Sequence, residues 1–164
     1  GQKWVEKNYK DGKLDGKWIG WANGRLWYED NYINGKRDGK HTGWHGNGQK
    51  WVEKNYKDGK QEGKWFRWHY NGQMSEEGNY KDGSGDGKYT VWYESGQKSL
   101  EINYKDNKRD GKWTWWHENG QIKWEGNFKD GKINGKWIGW DENGQITSES
   151  SWKDGKCISG DCPD

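Results

Sequence analysis

Glycines at residues 1, 24, 48, 72, 96, 120 and 144 each open a copy of one segment. The first interval is 23 residues and the next five are 24. Residues 1–13 and 48–60 are identical, GQKWVEKNYKDGK. A fixed period of this length means stacked supersecondary units, each needing its neighbours to bury an apolar face. The chain reads as a single repeat array with units 1–23, 24–47, 48–71, 72–95, 96–119 and 120–143 and an atypical C-terminal cap over 144–164. Counted from each opening glycine, position 6 is Glu in all seven copies and position 9 is always aromatic. Position 21 is Trp in all six complete units.

Two turn signals punctuate each unit. One is the Asn-Gly junction, as at Asn47-Gly48 and Asn71-Gly72. Asn-Gly between β-patterned runs is a strong hairpin signal because both residues tolerate positive φ. The other is Asp-Gly-Lys-x-Asp-Gly, as over Asp11–Gly16. The runs between them are aromatic and β-branched, and none carries a helical apolar period. The expected fold is all-β: about seven β-hairpin repeats forming one elongated, twisted antiparallel meander sheet. The short first unit sets a register in which position 22 faces position 2 of the next unit and position 20 faces position 4. That register gives the pairs Gly20–Trp27, Gly43–Trp51, Arg67–Ser75, Val91–Ser99, Trp115–Lys123 and Gly139–Thr147. It places positions 5, 9, 19 and 21 on a core face, making Trp68 and Tyr56 central core residues, and positions 4, 6, 8, 18 and 20 on the other. A tight Asp11-Gly12 turn would require a bulge within each hairpin.

Leu, Ile, Val and Phe together number only 16, a poverty that by itself reads as disorder. Yet the net charge is only +2, and the chain carries 16 Trp, 9 Tyr and 2 Phe. Each aromatic ring can bury roughly 150–250 Å². A core here is built of rings. No apolar run approaches the ~18 residues of a membrane-spanning helix. The chain opens on a turn glycine rather than Met, as expected of a trimmed or mature product. Positions 10–17 of the units carry a net +9, leaving −7 elsewhere, so one rim of the sheet is expected to be basic and the other acidic.

The last unit departs from the pattern after Gly155, where Lys156–Cys162 stands in place of a second strand. Both cysteines, Cys157 and Cys162, lie there. A disulfide closing the cap fits an exported protein, periplasmic, cell-surface or extracellular; two free thiols would leave a cytoplasmic location open. His45, His69 and His117 all occupy position 22. Neighbouring units lie about 9.5 Å apart, too far for two of these to share one zinc. No metal site and no cofactor are expected. Seven equivalent Glu read as a structural ladder beside Lys at position 17 or beneath Trp at position 18 rather than as a tuned acid–base pair. No Ser-His-Asp or Cys-His set is present, so the chain is read as non-enzymatic.

Trp4, Trp18, Trp27, Trp51, Trp65, Trp113 and Trp137 fall opposite the expected core face. Either the sheet curls enough to shelter them, or they form an exposed ladder for a polysaccharide or a protein partner. Nucleic acid is disfavoured by the small net charge.

The run Gly-Asn-Tyr/Phe-Lys-Asp-Gly-Lys-x-x-Gly-Lys, at Gly78–Lys88 and Gly126–Lys136, resembles the MORN repeat. With the Glu-Asn-Gly-Gln junctions it is most similar to bacterial MORN-variant proteins, many labelled antitoxin-like. The resemblance spans the whole chain. It implies a meander of β-hairpins, roles in scaffolding, partner binding and membrane association, and no catalytic residues. The reading that follows is an interaction or structural scaffold, self-associating through its sheet edges at Trp4–Tyr9. The alternative is an extracellular carbohydrate-binding module that uses the Trp ladder.

Overall fold

The computed structural model describes residues 4–163, which form strands and turns without a helix. The opening glycine at residue 1 lies outside the described residues. The chain divides into two compact blocks, Gly1–Ser84 and Gly85–Asp164. In the first block the first strands of successive units are Val5–Lys10, Arg25–Ile33, Lys50–Lys57 and Met74–Lys81. The return strands are Lys13–Ala22, Gly39–Trp44 and Gly63–Trp68. Each strand pairs antiparallel with the next in chain order. In the second block the same meander runs through Gly87–Trp92, Lys98–Lys105, Lys108–Trp116, Ile122–Lys129, Gly135–Trp140, Ile146–Lys153 and Lys156–Gly160.

The Asp-Gly signal is a two-residue turn. Asp11 and Gly12 both have positive φ, 48° and 73°, and the turn closes on the pair Lys10–Lys13. Both values fit the primed turn that matches strand twist. The turns also bond to one another. The amide of Gly35 donates to the carbonyl of Leu14, that of Gly59 to Arg37, and that of Gly131 to Arg109. Beside each, a position-15 side chain accepts the next turn's first amide: Asp15 from Asn34, Asp38 from Asp58, Asp110 from Asp130. This stacking explains why Asp recurs twice in each Asp-Gly-Lys-x-Asp-Gly run.

The tight turn does bring the bulge it requires. Tyr9 pairs with Leu14 but Lys7 pairs with Trp18, so the return strand makes an excursion opposite Asn8. Asn8 fills the gap by donating its Nδ2 to the carbonyl of Lys17 at 2.9 Å. Asn31, Asn55 and Asn103 do the same for Lys40, Lys64 and Lys112. A carbonyl freed by the bulge is thereby satisfied, as a polar group within a sheet must be.

At the junction between units, Ala22 pairs with Arg25 as expected, and His45 exchanges backbone hydrogen bonds around Gln49 and Gly48. The expected pairing of position 20 with position 4 is not observed. Gly20 pairs with Tyr28, Gly43 with Val52, Arg67 with Glu76, Val91 with Leu100, Trp115 with Trp124 and Gly139 with Ser148. A second bulge at position 4 shifts the register by one residue, because position 21 still pairs with position 3.

That slip re-sorts the faces, since strand side chains alternate with period 2. Positions 5, 7, 9, 14, 18 and 20 share one face, and the bulged position 4 joins them. Positions 3, 6, 8, 17, 19 and 21 share the other. Position 18 is therefore beside Val52 and Tyr56, not opposite them. Trp68 and Tyr56 are half-buried rather than the heart of a core. Val52, Ile102 and Thr90 are the largest fully enclosed side chains. In a single layer a wide ring keeps one edge in water, while a small side chain between rings is covered completely.

On the position-6 face, lysine of one unit pairs with glutamate of the next: Lys17–Glu29 and Lys40–Glu53 at 2.8 Å, Lys88–Glu101, Lys112–Glu125 and Lys136–Glu149 at 2.9 Å. The expected Glu–Lys ladder is thus present in both blocks, but the glutamates do not lie beneath the position-18 rings, which stand on the opposite face. It flanks a buried threonine, as where Thr42 sits between Glu29 and Glu53. Lys50 and Lys98 lie over Trp68 and Trp116, each 5.9 Å from the ring centre.

The last unit keeps a short return strand, Lys156–Gly160, where none was expected. It is held to its neighbour by reciprocal contacts. Asp161 Oδ2 accepts the Glu149 amide at 2.8 Å, and the Asp161 amide donates to the Glu149 carbonyl at 2.9 Å. Cys157 and Cys162 are joined as a disulfide.

Candidate binding face

The Trp set singled out in the sequence gathers on the position-18 face, and its members differ in exposure. Trp4, Trp27 and Trp51 are exposed, while Trp18, Trp65, Trp113 and Trp137 are half-buried. The buried members pack into their own layer. Trp113 stacks on Trp137 with centres 4.8 Å apart and planes inclined by 18°. Phe128 meets Trp137 edge-on at 5.6 Å, and Trp18 meets Tyr28 edge-on at 5.7 Å. The rings approach because small residues lie beneath them. A methyl group added at Gly126 would run into the Trp137 ring, and one at Gly20 into Tyr28.

In the first block this face holds a cleft of about 240 Å³ lined by Trp18, Trp27, Tyr28, Asp30, Arg37, His41, Gly43 and Trp51. Its floor is ionic. Asp30 is only 2% exposed. Its Oδ1 is 2.9 Å from His41 Nδ1 and 3.2 Å from Arg37 Nε, and its Oδ2 accepts from Arg37 Nη2 at 3.3 Å. Arg37 also donates to the Tyr32 hydroxyl at 3.3 Å and lies over the Tyr56 ring. Burial works against the charge on Arg37, but the Tyr32 hydroxyl and Asp30 outweigh it and hold the guanidinium protonated. Lys54, paired across the strands with His41, has its ammonium pKa pushed down by burial and then by Arg67 and Arg37.

In the second block the corresponding face encloses about 520 Å³ and is largely apolar, with Leu100, Trp113, Trp115, Phe128, Ile133 and Trp137 around Arg109. There Ile102 and Trp113 occupy the positions held by Asp30 and His41.

Sequence reading of the aromatic ladder passed over Asp30, Arg37 and His41. The signal was available: Asp30 is the one acid at position 7, and in the six complete units His41 is the one position-18 residue that is neither Trp nor Tyr. Two of the position-22 histidines, His45 and His117, are structural in this fold. His45 Nε2 lies 3.0 Å from the Trp68 carbonyl and His117 Nε2 3.0 Å from that of Trp140, while Tyr93 at the same position donates to the Trp116 carbonyl. Among the described residues no group of three or more His, Cys, Asp or Glu is placed to hold a metal ion.

No curated protein matches the chain. The family model described as MORN repeat variant matches five consecutive stretches, residues 37–58, 61–82, 85–106, 109–130 and 133–154, together well over half of the sequence. Each stretch starts where a return strand leaves its Asp-Gly turn, passes through the inter-unit loop, and ends on the Asp of the next turn. The family's unit is thus the pair of strands that face one another across the Asn-Gly junction, and the chain belongs to the MORN repeat variant family.

Proposed function

We propose that the chain is a non-enzymatic interaction scaffold that recruits protein, including a second copy of itself, by strand addition at the edge of its first repeat. The observation that carries this reading is the strand Val5–Lys10. Among the described residues it pairs on one side only, with Lys13–Ala22. Its apolar side chains stand in water, with Val5 51% and Tyr9 61% exposed. An unpaired edge offers a row of N–H and C=O groups to any incoming strand. At the other end, Asp161 ties the strand Lys156–Gly160 to its inner neighbour through the Glu149 amide and carbonyl. Two first-repeat edges meeting make an isologous contact that closes as a dimer, whereas a head-to-tail contact propagates unless rotation closes it.

The disulfide supports an oxidising compartment, and hence export. No helix among the described residues is long and apolar enough to cross a membrane.

Light scattering across a wide concentration range tests the edge. The chain should associate with rising concentration, and Val5→Pro, which removes one edge N–H, should not. Equal monomeric behaviour of both proteins sinks the strand-addition reading.

A further inference from the structure

We infer that the cleft above Asp30 is a sugar-binding subsite that takes one pyranose ring of a neutral glycan. Its walls and floor have different jobs. Trp27 and Trp51 occupy the same bulged position in consecutive units, and both are exposed, by 54% and 38%. An indole face offers the flat apolar contact that the C–H face of a sugar ring needs. Below them, Asp30 is tied into one hydrogen-bonded cluster with Arg37 and His41, whose remaining polar atoms edge the cleft. Vicinal hydroxyls both donate and accept, so they match such a floor where a purely apolar or purely charged ligand does not. An apolar-walled site with a few convergent polar groups is the usual design for small-ligand binding. At about 240 Å³ the cleft has room for one ring.

Charge narrows the choice further. The Asp30 carboxylate is balanced by the Arg37 guanidinium, so the lining favours neither ionic sign. Lys54, beside His41, adds positive charge and opposes an ammonium ligand. The departure from the repeat is also coordinated. Asp30 and His41 change together at positions that Ile102 and Trp113 fill with apolar groups in the second block. Burying a carboxylate and an imidazole carries a desolvation penalty that the apolar pair Ile102 and Trp113 avoids. Packing alone therefore does not call for the ionic cluster here, whereas a hydroxyl-bearing ligand does.

This inference is independent of strand addition, since Val5–Lys10 lines no part of the cleft. The test is titration calorimetry of the full chain with cellohexaose, chitohexaose, laminarihexaose and xylohexaose, and with tetramethylammonium chloride. At least one hexasaccharide should bind in the millimolar range or tighter. Trp27→Ala and Trp51→Ala remove exposed rings and leave the Asp30 cluster intact. Each should weaken binding by about tenfold or more, as removal of a Trp anchor does. Trp115→Ala, in the second block, should leave it unchanged. Binding of none of the four sugars, equal weakening by Trp115→Ala, or binding of tetramethylammonium in place of sugar overturns the assignment.

Discussion

Two strands of this protein share one sequence and live in different surroundings. Val5–Lys10 and the matching part of Lys50–Lys57 come from the identical segments 1–13 and 48–60. Val5 is 51% exposed and Val52 is 0% exposed. The difference lies in the neighbours. Val5 faces Gly20 alone, whereas Val52 is bracketed by Gly43 on one side and Arg67 on the other. Burial in a repeat fold is therefore a property of the interface between units more than of the strand. Stability is expected to follow the same rule, as a sum of intrinsic unit terms and nearest-neighbour terms.

The largest effect should come from making one substitution in both copies. Val52→Ala removes two methyl groups from a fully enclosed site and should cost about 2 kcal/mol, from lost transfer energy plus the cavity left behind. Val5→Ala, at a half-exposed site, should cost less than about 0.5 kcal/mol. Urea unfolding of both variants measures the pair. Equal losses would mean that the two strands are equally covered in solution, and the comparison would fail.

A contact internal to the hairpin should behave the opposite way. Asn8 and Asn55 each donate to the carbonyl across their own bulge, Lys17 at 2.9 Å and Lys64 at 3.3 Å. Neither bond involves the next unit. Asn8→Ala and Asn55→Ala should therefore each cost about 1 kcal/mol, the usual net worth of a hydrogen bond whose acceptor is left unpaired. A cost confined to Asn55 would show that the bulge is held by stacking of units rather than by its own side chain.

Features local to a hairpin were legible in the sequence, and features set between strands were not. The period, the turn types, the all-β class and the Glu–Lys ladder are local or repeat along the chain, and each was legible. Asp11 and Asn23, each followed by glycine, announce their positive φ in the sequence itself. The faces were not legible, because a bulge at position 4 leaves no mark that a two-residue periodicity can detect. One inserted residue moves Trp18 from the far side of Tyr28 to direct edge contact with it. The ionic floor at Asp30 was visible only as a departure from the repeat. Its meaning depends on Arg37 and His41 converging from two other points of the chain.

The smallest effect sharpens the comparison by separating a strand's own contribution from its neighbour's. Burial pushes the Glu53 carboxyl up, but hydrogen bonds and charge from Lys40 and Lys50 outweigh it and leave its pKa below the ordinary 4.5. A carboxyl depressed in the folded state contributes stability above its unfolded value and loses it as pH falls through the folded one. Wild type and Glu53→Gln should therefore differ at pH 7 by less than about 1 kcal/mol, as partly exposed ion pairs do, and converge in acid below the ordinary carboxylate value. Lys50 sits on the same strand as Glu53, 2.7 Å away, while Lys40 reaches it from the preceding unit at 2.8 Å. Lys40→Ala should thus shrink the pH-dependent gap without abolishing it, and Lys50→Ala should do likewise. Thermal melts from pH 3 to pH 7 read both. If Lys40→Ala leaves the curve of wild type unchanged, the neighbouring unit contributes nothing at Glu53, and coupling between units acts through burial alone.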